Sequence, residues 1–289
     1  MQSDLQLRGI TKKHIIQGEK MTGKKIDVLW AFVVGGILST AAEVLWLILV
    51  SIGLPASTWA ITAFLMVLGL IGMITSYFGL YQKLVGLAGF GAFLPFCSLP
   101  CSIMLDYTAA RSGGDPVGKS VFKGLKGPFF VFGTGISVTI LLTLTVYWVQ
   151  GFDGMMGQLQ KAGALEAAPV TAIMFLRAFL IGGMICGVWQ IFFRINKQSI
   201  PLNMAMGIYT GAILTAVGAM EHIVGFAGAG MMLQIHATGE GVYRWFTTIL
   251  LFHSFSGLLR FLLMLAFIFI GSTLVFGEMF YKRTVRERK

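Results

Sequence analysis

Apolar residues run along this chain in long blocks of membrane-spanning length, separated by short polar segments. The first block, Val28 to Ile52, is long enough to cross a hydrocarbon core of about 30 Å at about 1.5 Å per residue. It ends at an uncharged turn, Gly53-Leu54-Pro55, and Trp59 to Tyr81 brings the chain back. Leu84 to Leu105 is equally apolar but is interrupted by Gly86, Gly89, Gly91, Pro95 and Pro100, so it predicts a re-entrant hairpin of half-helices rather than one continuous span. A polar loop is expected from Asp106 to Lys126, a third span from Pro128 to Val149, and a polar linker from Gly151 to Pro169. The plan then repeats, with Thr171 to Phe193, Pro201 to Met220, a broken segment His222 to His236, and a long run from Trp245 to Phe276.

The repetition extends to individual residues. Gly79 to Gly91 (GLYQKLVGLAGFG) and Gly218 to Gly230 (GAMEHIVGFAGAG) agree without a gap at six of thirteen positions. Upstream, Ala31 to Gly36 is echoed by Ala178 to Gly183, so the similarity spans a whole unit and marks an internal duplication. The organisation that follows is a basic tail over 1–26, a first repeat over 27–149, a linker over 150–170, a second repeat over 171–277 and a basic tail over 278–289.

Charge sets the direction of insertion. Lys and Arg collect in short cytoplasmic loops. Six spans plus two re-entrant segments leave only Lys161, Arg177, Arg244 and Arg260, of 22 basic residues, off the cytoplasmic side. Eight full spans would scatter that bias. Three spans per unit is an odd number, so the second unit must be inserted upside down relative to the first. The fold class expected is therefore an all-α integral membrane protein of two inverted three-helix repeats, with both termini cytoplasmic. Inverted repeats with discontinuous helices bring the breaks together near the midplane, the geometry of a small-solute conduit.

Composition agrees. The chain is 56% hydrophobic and 12% charged over 289 residues, far too few charges to cover a soluble globule of this size. The net charge of +10 lies in segments between apolar runs, with no basic domain, so nucleic acid is not an expected partner. Cys97, Cys101 and Cys186 have no zinc-type spacing and His236 and His253 no carboxylate partners, so no metal and no cofactor is expected. No nucleophile sits beside a base and no phosphate-binding Gly-rich loop is present, which argues against an enzyme.

Two readings of the repeated glycines stay open. Gly86, Gly89 and Gly91, with Gly225, Gly228 and Gly230, either let helices pack closely or free backbone N–H groups for an anionic solute where half-helices meet. Among charges inside spans, Glu43 is the candidate partner of Arg177 or Arg260, either as a static bridge or in contact with solute. The duplicated counterpart of Glu43 is Gln190, which keeps the shape without the charge.

GLYQKLVGLAGFGAFLPF, a polar loop, and then KGLKGPFFVFGTGIS resemble the SpoVA membrane proteins of endospore-forming bacteria, in particular the AC and AE types. The first unit matches throughout. The second keeps AFLIGG and GFAGAG but has Gln234 where the first has Pro95, so the chain looks like two fused subunits. The resemblance implies movement of dipicolinate or calcium dipicolinate across the bacterial inner membrane of the forespore or spore, alongside other SpoVA-type membrane proteins. A general small-solute channel and a non-conducting scaffold remain the alternatives.

Overall fold

The computed structural model describes residues 26–52, 58–166 and 171–287. The basic N-terminal residues 1–25, the turn at 53–55 and the end of the linker at 167–170 lie outside these. The described residues are almost entirely helical, with no strand. In the first unit, α1 (Ile26–Ser51) and α2 (Thr58–Tyr77) are followed by the short α3 (Leu80–Ala88) and α4 (Phe90–Phe93), then by α5 (Ser98–Ser112) and the long α6 (Val117–Glu166). The second unit repeats the order: α7 (Ala172–Asn196), α8 (Ile200–Ala216), α9 (Ala219–Ala227), a 3₁₀ turn (Ala229–Leu233), α10 (His236–Phe252) and α11 (Ser256–Ile270). A π-turn at Gly271–Val275 then leads into α12 (Phe276–Arg286).

Among the described residues, four helices are long and apolar enough to cross a membrane, and up to six spans result if each bent pair counts as one. The bends fall at the first glycine of the repeated motif. Gly79 and Gly218 both adopt φ 75°, a left-handed conformation that glycine takes without a Cβ penalty. There α2 turns into α3 through 97° and α8 into α9 through 100°. The identical dihedrals show that the two copies are structural as well as sequence repeats.

Helix α1 packs on α7 along a seam of small residues, and the pairing runs in opposite directions along the two helices. Gly36 lies against Phe179 while Gly183 lies against Phe32, and Gly35 lies against Cys186 while Gly182 lies against Ser39. Thr40 Oγ1 reaches Phe175 O at 3.3 Å. Each contact has its exchanged counterpart, and the residue number rises on one helix as it falls on the other. The helices are therefore antiparallel and related by a pseudo-two-fold axis, which is what inversion of the second unit requires. A Cβ on Gly36 or Gly183 would stand 2.7 Å or 2.5 Å from a backbone oxygen of the facing helix, so close approach is the role of these glycines.

Three expectations about boundaries are corrected. The polar stretch 106–126 is not a loop: α5 continues to Ser112 and α6 begins at Val117, leaving only a tight turn around Gly113 and Gly114. Asp115 in that turn is bridged by Lys119 at 2.9 Å and also by Lys123, so the charged residues support the turn between the helices. The linker is also helical as far as Glu166, after a break at Gly151 (φ 68°) that lets the chain fold back. The run from Trp245 to Phe276 is two helices, parted at His253, whose φ of 52° stops α10.

Candidate functional site

The two broken segments meet. Phe96 N donates to Leu233 O at 2.8 Å and Ile235 N to Leu94 O at 3.0 Å, making an antiparallel bridge of Pro95 with Gln234. These two positions are equivalent in the repeat, so the pseudo-two-fold axis passes between them. Leu94, Phe96, Leu233 and Ile235 are buried around the bridge, and they close the line between the half-helices with apolar side chains.

Each break is held by a polar side chain from the other unit. Phe90 N, freed where α3 ends, donates to Gln190 Oε1 of α7 at 2.8 Å. Gly230 N donates to Glu43 Oε2 of α1 at 2.5 Å. Glu43 and Gln190 are both fully buried. The glycine that opens each break makes room for this contact. Gly89 has φ 51° and a Cβ there would stand 2.6 Å from Gln190 Oε1, while Gly228 has φ 81° and a Cβ would stand 2.6 Å from Glu43 Oε2. A larger residue would meet both a strained backbone and an occupied space.

Between the clamps lies a buried polar centre. Gln234 Nε2 donates to Ser39 Oγ at 3.2 Å, and Cys186 Sγ lies 3.6 Å from Gln234 Oε1. Ser39 and Cys186 are again repeat equivalents. Glu43 Oε1 and Gln190 Nε2 are buried without a hydrogen-bond partner among the described residues. Such atoms are costly to leave unpaired, so the centre retains polar capacity that this packing does not use.

The other sequence candidates are distributed unevenly around this centre. Gly91 and Gly230 press on the backbone of α1, at Ala31 and Ser39 respectively, so both broken segments lean on the same helix. Gly86 and Gly225 lie within α3 and α9, away from the breaks, and a Cβ on Gly86 would meet nothing within 4 Å. The anticipated ion pair of Glu43 with an arginine does not form. Arg177 lies over the Phe226 ring at 4.6 Å and Arg260 donates to Ser256 Oγ at 3.3 Å. The Glu43 carboxylate instead accepts the buried Gly230 amide that the break frees.

Sequence reading missed a second buried polar group, on α10. Glu240 and Arg244 pair at 2.5 Å, and Glu221 Oε1 stands 3.8 Å from the same guanidinium. The signal was present as His236, Glu240 and Arg244 at four-residue spacing, one face of a helix in an otherwise apolar stretch. At the other end of the molecule, α12 is fastened to the first unit. Tyr107 Oη donates to Glu278 Oε2 at 2.7 Å, Arg111 Nε to the same oxygen at 3.2 Å, and Arg283 Nη1 to Tyr77 O at 3.2 Å.

Neither curated proteins nor solved structures gave a match to the chain. A family model does match, described as SpoVAC/SpoVAEB sporulation membrane protein, over residues 27–149 and again over 174–280. The two matched segments coincide with the two structural units and together cover most of the chain, which belongs to the SpoVAC/SpoVAEB sporulation membrane protein family.

Proposed function

We propose that the protein is a conducting subunit for a small anionic solute, dipicolinate or its calcium complex, in the inner membrane of the forespore or spore. Its tails face the cytoplasm, and it works beside other SpoVA-type membrane proteins. The observation that carries this reading is the meeting of two inverted broken segments at one clip, Pro95 with Gln234, clamped from opposite units by Gln190 and Glu43. Discontinuous helices with polar backbone at membrane depth are the construction of solute pathways, because irregular backbone there is tolerated only inside protein or beside a polar path. On this reading the packed clip is a closed state. Apolar side chains fill the constriction, and conduction requires the two hydrogen bonds of the clip to part.

Opening that also draws the breaks away from Gln190 and Glu43 would free the amides of Phe90 and Gly230 for an anion such as a dicarboxylate. Flux from liposomes containing the purified protein tests the assignment. Efflux of dipicolinate above that of uncharged solutes of similar size is expected. Equal efflux of unrelated solutes would identify a general channel, and no efflux from folded protein would identify a non-conducting subunit.

A further inference from the structure

Each bend interrupts the helix before it, and the last carbonyls of a helix have no amides further along to serve them. In both units a side chain from the opposite unit supplies a donor. Arg283 Nη1 of α12 donates to Tyr77 O at 3.2 Å, and Gln158 Nε2 of α6 donates to Ala216 O at 3.0 Å. Tyr77 and Ala216 hold the same place in the repeat, two residues ahead of Gly79 and Gly218. The two donors sit on matching arms. Each arm trails the last span of its own unit and begins at an irregularity: Gly151, with φ 68°, turns the end of α6 back, and the π-turn Gly271–Val275 sets off α12. Each arm also takes the hydroxyl of a tyrosine on the helix beyond the broken segment. Tyr107 Oη of α5 donates to Glu278 Oε2 at 2.7 Å, and Tyr243 Oη of α10 donates to Gln158 Oε1 at 3.1 Å. An arm thus ties the helix that enters a broken segment to the helix that leaves it. Both grips are packed as well: the Arg283 guanidinium lies 5.5 Å from the centre of the Tyr77 ring, and Met155 of the α6 arm is fully buried in a cluster with Ala216 and Tyr243.

We infer that the two arms are crossed latches: α12, from the second unit, holds the bend at Gly79 in the first, and the α6 arm, from the first unit, holds the bend at Gly218 in the second. Each broken segment swings on its glycine only when the other unit's arm lets go. The grips differ in chemistry. α12 works through Arg283 and through Glu278, which Arg111 also engages at 3.2 Å, whereas the α6 arm uses one neutral carboxamide for both of its hydrogen bonds. Hydrogen bonds with a charged partner are about twice as strong as neutral ones, so the first bend is the more tightly held. The latches restrain the bends whether or not the path between them conducts.

Amide hydrogen exchange of the full-length protein in detergent, read by mass spectrometry over the broken segments 80–93 and 219–233, tests the latches. Arg283→Met should speed exchange in 80–93 about tenfold, the loss expected of one charge-assisted hydrogen bond, and leave 219–233 unchanged. Gln158→Met should do the reverse, by about fivefold. Tyr107→Phe removes a single hydroxyl from the grip that Arg283 shares and should speed 80–93 alone, so it remains informative if Arg283→Met does not fold. Exchange unchanged in the segment that the altered grip holds, or raised equally in both segments, would overturn the inference.

Discussion

The same backbone problem arises twice in this molecule and is solved with different chemistry. At the first break, the freed amide of Phe90 is accepted by a neutral carboxamide, Gln190. At the second, the freed amide of Gly230 is accepted by the carboxyl group of Glu43. Both side chains come from repeat-equivalent positions on the antiparallel helices α1 and α7, and both occupy the space left by a glycine of positive φ. Since Gln190 satisfies its break without charge, charge is not a requirement of the architecture. An ionisable group at Glu43 is something the second break has in addition.

The largest effects should come from filling the glycine spaces. Gly89→Ala and Gly228→Ala each combine positive-φ strain with overpacking against the clamp and should cost about 3 kcal/mol apiece. Gly86→Ala, from the same repeated motif, should be neutral or slightly stabilising because nothing lies within 4 Å and alanine favours helix. Unfolding in mixed detergent micelles measures all three. A similar loss in Gly86→Ala would break the distinction between break glycines and helix glycines.

Smaller effects should separate the clamp's shape from its charge. Glu43→Ala and Gln190→Ala leave a buried amide unsatisfied and should cost about 2 kcal/mol each. Glu43→Gln, which makes the two breaks chemically alike, should cost under about 1 kcal/mol in the same assay, because its Oε1 can still accept from Gly230. If Glu43→Gln unfolds the protein as readily as Glu43→Ala, the two clamps are not equivalent.

The smallest effect lies outside the membrane-spanning segments. Hydrogen bonds from Lys123 and Lys119 hold the Asp115 carboxyl below the usual carboxylate range. Its contribution is therefore complete above the ordinary aspartate value and is lost as pH falls through the lowered one. Asp115→Asn should remove that part of the acid sensitivity, and added salt should shrink the difference from wild type. Unfolding followed against pH at two salt concentrations would show it.

Much of this was legible in the sequence because glycine and proline punctuation survives duplication. The pairs Gly79 and Gly218, and Gly89 and Gly228, mark the bends and breaks in both units. The polar stretches 106–126 and 150–166 were harder to read, since charged residues in a membrane protein look like loops. Asp115 and Lys119 are instead a local pair supporting a helix start, and Gly151 breaks the linker only once. The partner of Glu43 was hidden for another reason. Pattern reading pairs a buried carboxylate with an arginine, whereas broken helices supply backbone amides that appear in no charge count. The centre formed by Ser39, Cys186 and Gln234 was equally silent, because it exists only once the two units are folded together.

In the proposed function, conduction requires the Pro95 and Gln234 segments to separate. Positions opposed across an antiparallel bridge of this type stand about 4.5 Å apart at Cα, within reach of a disulfide. The double variant Pro95→Cys/Gln234→Cys, with Cys97, Cys101 and Cys186 replaced by serine or alanine, can therefore lock the clip. In liposomes the reduced form should release dipicolinate, the oxidised form should not, and a reducing agent should restore release. Undiminished release from fully oxidised protein would show that solute does not pass by the parting of the two breaks.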